Sequence, residues 1–155
     1  MTHHPEPDLP IIGWQEWVIL PALEIPPVLA KIDTGARTSA LHAYYTEPCE
    51  IDGIPHVRFG LHPLHGDDSM AVERVLPVKD RRPVRSSNGE VEERFVIETP
   101  LEMGNQRYLI EMTLTARDTM QFRMLVGRTA LANHFLVDCR LKQTLGHPTH
   151  LKDTP

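Results

Sequence analysis

The sequence predicts an all-β fold, a closed or nearly closed barrel with one short helix near its C-terminal end, on three observations. Fourteen prolines in 155 residues punctuate the chain so often that few windows can hold a long helix. Between them lie short runs rich in β-branched and aromatic residues, the side chains that suit a pleated, half-buried surface. Three dipeptides that favour tight hairpins, Asp52-Gly53, Asn88-Gly89 and Gly104-Asn105, punctuate those runs.

Taken in order, strands are predicted over 11–20, 28–33, 41–51, 54–61, 71–78, 90–98, 106–115 and 121–126. Asp52-Gly53 joins the third to the fourth, and Gly104-Asn105 leads into the seventh. Alternation is clearest in Tyr108-Leu109-Ile110-Glu111-Met112-Thr113-Leu114, which reads as a half-buried strand. A helix is predicted over 129–134 and a last strand over 135–138. Residues 1–9 and 141–155 are polar, bear proline and histidine, and carry little periodic pattern. They are expected to be flexible tails around one domain spanning 10–140.

Composition narrows the function classes. A formal net charge of −5 argues against nucleic acid as the main partner. No apolar run approaches the length that crosses a bilayer. The N-terminus lacks the basic start and apolar stretch of a secretory signal. Two cysteines, Cys49 and Cys139, imply no disulfide framework. The expectation is a cytoplasmic protein without membrane contact.

The chemistry concentrates where the apolar run Val28-Leu29-Ala30-Lys31-Ile32 meets Asp33-Thr34-Gly35-Ala36. A carboxylate at the end of a buried strand sits at the rim of a sheet, where a substrate can reach it. Gly35 permits a sharp turn and close approach of another chain, and Thr34 can bond backbone groups and lock the loop that aims Asp33. A simple Asp-Gly-type turn after a strand is the competing reading.

A second element, Met124-Leu125-Val126-Gly127-Arg128-Thr129-Ala130-Leu131, is an apolar strand that ends in Gly-Arg and enters the helix. Asp-Thr-Gly-Ala, then hairpins, then this segment and a final strand: in that order the chain resembles a retropepsin-type aspartic peptidase over roughly Gly13 to Asp138. More narrowly, Gly13-Trp14-Gln15-Glu16-Trp17-Val18, the stretch from Lys31 to Ala43, and Val126-Gly127-Arg128 through Phe135-Leu136-Val137-Asp138 are similar to one bacterial family. That family is named for ATP-dependent zinc proteases and is often encoded beside ATP-grasp peptide ligases.

The resemblance implies a retropepsin-like closed β-barrel, the acid protease fold, acting as an aspartic endopeptidase with Asp33, Thr34 and Gly35 as its catalytic residues. Two nearby carboxylates must share one proton in that mechanism, and the chain holds a single Asp-Thr-Gly. The second carboxylate is therefore expected from the other subunit of a homodimer. Ala36, Arg37 and Arg128 are expected to contact a peptide or protein substrate. So are Ser87, Asn88 and Gly89, at the tip of a flap over 83–91. An ATP-grasp ligase is the expected pathway partner. A peptide-binding module without catalysis and a metal-dependent protease remain alternatives.

One departure bears on the site. Viral retropepsins carry an acidic residue four positions after the catalytic aspartate, paired with the arginine of Gly-Arg; here that position is Arg37. Arg37 and Arg128 then either form a basic rim for an acidic peptide or C-terminal carboxylate, or enter structural ion pairs. Despite the family name, no metal site is expected. His62-Pro63-Leu64-His65 and His147-Pro148-Thr149-His150 each offer two ligands, without a third or an ordered surrounding shell. His42 reads as a packed histidine. No phosphate-binding glycine loop or βαβ unit is present, so no cofactor is expected.

Overall fold

The computed structural model describes residues 8–85, 88–116 and 121–148. In chain order the strands are β1 (Ile11–Ile12), β2 (Gln15–Val18), β3 (Val28–Asp33), β4 (Ser39–His42), β5 (Tyr45–Ile51) and β6 (Ile54–Leu61). They continue as β7 (Val72–Pro77), β8 (Asp80–Arg85), β9 (Val91–Met103), β10 (Gln106–Thr115), β11 (Met124–Gly127) and β12 (Leu136–Val137), with one helical turn, α1 (Arg128–Leu131), after β11. A 3-10 turn covers Pro21–Leu23. No helix among the described residues is long and apolar enough to cross a membrane.

The strands form three sheets: seven strands in the order β2-β3-β11-β4-β10-β9-β8, three in the order β5-β6-β7, and a two-stranded parallel ribbon of β1 and β12. The all-β class with one short helix therefore describes the chain, but the expected closed barrel does not. The large sheet is open, ending at β2 and β8. The reason lies in β9, which pairs with β8 through Val96 and with β10 from Val96 onward. Past Val96, its outer edge meets the chain after β2 in one isolated bridge, Ile19 to Glu102.

Proline shapes these edges. Glu102 exchanges both backbone hydrogen bonds with Ile19, at 2.8 and 2.9 Å, so its N–H points away from β10. Two residues earlier, Pro100 has no N–H to offer on that same unladdered side, which is why β9 runs straight through a residue expected to end it. Pro48, Pro77 and Pro83 lie in β5, β7 and β8, each an end strand of its sheet. No strand was predicted over 80–85 beyond the flap hairpin at 83–91; the observed β8 begins earlier, at Asp80, and carries Pro83 within it.

Turn chemistry matches its local signal at the β5–β6 hairpin, where Asp52 and Gly53 both take positive φ (53° and 78°). That pair of left-handed residues fits the right-handed twist of the flanking strands. The core between the sheets is filled by fully buried Leu20, Leu41, Phe59, Ile97, Met112 and Met124, and Leu145 packs against it.

Residues 138–148 run back along β2. The Glu16 side chain is 0% exposed and accepts N–H bonds from Gly13 (2.7 Å), Thr144 (3.0 Å) and Leu145 (3.0 Å). Gly13 lies so close to the Leu141 carbonyl that a Cβ would overlap it.

The helix is shorter than the predicted 129–134. Asn133, at φ 69°, ends the turn in the left-handed region. The Tyr108 hydroxyl donates to the Ala130 carbonyl, and its ring stacks on His134 at 3.7 Å, fastening α1 to β10. Burial pushes the Tyr108 phenol up to about 12 from 10.0. The folded-state value is raised, so this contribution is intact below pH 10 and is lost as pH climbs through about 12. In a tyrosinate absorbance titration Tyr108→Phe should remove a step near pH 12; a variant that leaves that step in place would refute the assignment.

Candidate functional site

β11 lies between β3 and β4, parallel to the first and antiparallel to the second, and sets Gly127 beside Asp33. The strand-end carboxylate is thereby flanked by backbone. A Cβ on Gly127 would stand 2.7 Å from the Thr38 carbonyl carbon and 3.0 Å from the Ala36 oxygen, so only glycine lets β11 come this close.

The residues after Gly127 hold the loop from Asp33 to Ser39 by its backbone. Gly127 N–H donates to Ser39 Oγ (3.0 Å) and Arg128 N–H to the Ala36 carbonyl (2.8 Å). Thr129 donates its N–H (3.1 Å) and its hydroxyl (2.8 Å) to the Arg37 carbonyl. Within the loop, Gly35 N–H donates to Asp33 Oδ1 at 3.1 Å. A Cβ on Gly35 would stand 3.3 Å from that same oxygen, so this glycine allows close approach to the carboxylate. Asp33 is half-buried and Thr34 and Gly35 are exposed, which leaves Oδ2 as the oxygen not committed to the turn.

The two arginines separate. Arg128 turns its Nη1 to the carbonyls of Thr34 (3.4 Å) and Gly35 (3.2 Å), bracing the loop where an acidic partner was absent. Arg37 is exposed and engages no ion pair or side-chain hydrogen bond among the described residues. It opens onto a cavity of about 560 Å³ lined also by Thr38, Arg82, Leu109, Glu111 and Thr129. Arg82 is tied to Asp80 (2.8 Å) and Glu111 (3.0 Å).

Not every expected residue joins this site. Ala36 is in the loop. Asn88 and Gly89 form the tip of the β8–β9 hairpin, with Gly89 at φ 88° and Asn88 Oδ1 accepting from Glu90 N–H at 3.1 Å. No hydrogen bond among the described residues links that tip to the Asp33 loop, and Ser87 lies outside the described residues. The anchors Ser39 and Thr129 were missed, although a hydroxyl residue shortly after each glycine motif is a legible signal. Arg82 and Glu111 carry none, because both reach the cavity from distant strands.

The histidines are otherwise occupied. His62 stacks on Tyr44 at 4.3 Å, His65 packs on Phe122 at 5.1 Å, and His147 packs on Trp17 at 4.6 Å; His150 lies outside the described residues. His42 is buried on β4. Among the described residues no three His, Cys, Asp or Glu side chains gather to hold a metal ion.

Comparison with known proteins places this geometry. The model of the RimB-like family, described as retropepsin-like aspartic endopeptidase RimB, matches residues 11–148. A protein of Shewanella halifaxensis named "Probable alpha-L-glutamate ligase" is 44% identical over 128 residues, 83% of this chain and 28% of that protein. One of Desulfotalea psychrophila with the same name is 43% identical over 136 residues, 88% of this chain and 29% of that protein. The chain thus spans under a third of the length of the curated relatives it matches. The crystal structure of Lpg0085 from Legionella pneumophila, titled as a protein of unknown function, superposes with a TM-score of 0.73 at 25% identity. That match covers 88% of this chain and 98% of Lpg0085.

These findings correct the expected family name and the expected activity. The relatives that share over 40% identity are named as ligases, not as ATP-dependent zinc proteases. The assignment as an aspartic peptidase cleaving peptide bonds with an Asp33 pair across a homodimer falls with it, as does the metal-dependent alternative. The chain brings one such carboxylate to the loop, and no ligand cluster supports a metal-dependent protease. By the match over 11–148, the chain belongs to the RimB-like family.

Proposed function

We propose that this chain works in α-L-glutamate ligation, as the domain that engages the glutamate-bearing chain beside a ligase domain of ATP-grasp type. The observation that supports it is the identity of 42–44% over most of this chain with one segment of larger proteins named as α-L-glutamate ligases. In those proteins the segment is accompanied by more than two thirds of another sequence. The ligase portion is the partner on this reading, in the cytoplasm where nucleotide is available. A homodimer of this chain is a further partner, favoured by Ile11 and Leu136, each about half exposed on the β1–β12 ribbon.

In this proposal Asp33, Thr34 and Gly35 form the reactive end of the site. The carboxylate accepts a hydrogen bond or a proton through Oδ2, while the Gly35 N–H keeps Oδ1 in place. Ala36, Arg37 and Arg128 line the approach, and the hairpin tip at Asn88 and Gly89 closes over it when substrate is bound. The test adds purified chain to an α-L-glutamate ligase extending an acceptor peptide, with tail lengths read by mass spectrometry. The wild-type chain should shift the length distribution, and Asp33→Asn, nearly isosteric, should remove the shift. Identical distributions with and without the wild-type chain would overturn the reading.

A further inference from the structure

The cavity beside the loop holds a cation without a counter-ion. Its lining has two arginines and one carboxylate, and they are not equivalent. Arg82 is neutralised by Asp80 and Glu111 at 2.8 and 3.0 Å, whereas the Arg37 guanidinium is unengaged among the described residues. The main chain of Arg37 is held at its carbonyl by two bonds from Thr129, at 3.1 and 2.8 Å. Leu109 is 63% exposed in the same cavity, an apolar surface with nothing described packed over it. The volume of about 560 Å³ is of the size that holds small ligands, roughly 300–1,000 Å³.

We infer that this cavity is a carboxylate-binding subsite, in which Arg37 pairs with the carboxylate of an α-linked glutamate chain and Leu109 supports its methylenes. The inference rests on the proposed glutamate chemistry and assigns it a place. A planar guanidinium presents paired donors that match a carboxylate edge, and two methylenes ending in a carboxylate match an apolar floor ending in a cation. Thr38, also in the lining, carries a hydroxyl that can serve as a second donor. Because the whole chain carries a net charge of −5, its general field repels an acidic ligand. Affinity must therefore come from this local cation and must weaken with salt. The carboxylate is either a glutamate side chain or the free end of the chain; Arg37 recognises both in the same way.

The experiment is calorimetric titration of the full chain with α-linked tetraglutamate, tetraglutamine and C-terminally amidated tetraglutamate. The wild type should bind tetraglutamate and not tetraglutamine. Arg37→Gln should weaken binding about tenfold or more, as loss of one charge-assisted contact does, with circular dichroism unchanged because the side chain is exposed. Glu111→Gln removes one of the two carboxylates holding Arg82 and should tighten binding severalfold, a gain that a structural role would not produce. Equal binding of the amidated peptide assigns the site to side-chain carboxylates, and selective loss assigns it to the terminus. Tetraglutamate binding that ignores Arg37→Gln, or no binding to the wild type, overturns the subsite. Arg37-dependent binding with unaltered ligase products would instead sink the ligase partnership alone.

Discussion

Glu16→Ala should cost about 3–5 kcal/mol of stability, the range for breaking a buried, charged hydrogen-bond network. The carboxylate collects N–H groups from Gly13, Thr144 and Leu145 inside the protein, and alanine leaves all three without an acceptor. Each orphaned buried donor costs about 1–3 kcal/mol, partly recovered where water enters. Glu16→Gln is the sharper probe, since its amide NH2 must face at least one of those donors. Urea unfolding would give the loss, and hydrogen exchange should show residues 138–148 deprotected first. A midpoint unchanged in both variants would mean that the strap along β2 is held by something else.

Gly127→Ala is expected to be comparably severe, at about 3 kcal/mol or more, the upper end for overpacking a rigid site. The added Cβ would meet backbone atoms of Thr38 and Ala36 at 2.7–3.0 Å, and backbone cannot rotate away as a side chain can. Strand β11 or the Asp33 loop must move, and the Arg128 and Thr129 bonds to that loop go with it. Gly35→Ala is the control. Its Cβ meets one carboxylate oxygen at 3.3 Å, so the fold should persist within about 1 kcal/mol while the aim of Asp33 shifts. Thermal unfolding of the two variants checks the contrast, and equal melting temperatures would refute it.

Legibility of the site followed the range of the interactions. Asp33 could be found because a buried strand, a small hydroxyl residue and a glycine are contiguous, and contiguous residues carry their own geometry. The bracing of that loop could not, because Gly127 pairs with Asp33 across 94 positions. Arg128 was expected either at a substrate rim or in an ion pair; within the chain its Nη1 meets the carbonyls of Thr34 and Gly35, the acceptors left within reach with Arg37 in the acidic position.

By itself the sequence determined the all-β class, the spans of 28–33, 54–61 and 106–115 as strands, the Asp52-Gly53 turn, and the strand-end position of Asp33. These rest on side-chain periodicity and on backbone angles that particular residues favour locally. The tertiary structure alone decided that β11 enters between β3 and β4, that the large sheet stays open, and that β8 pairs despite Pro83. It also decided that Glu16 is a buried acceptor and that Arg37 faces a cavity shared with Arg82. Each of these depends on which distant segments become neighbours, and strand pairing is specified by contacts across the fold. A proline is a breaker in a central strand and harmless at an edge, so its meaning exists only once the edges do.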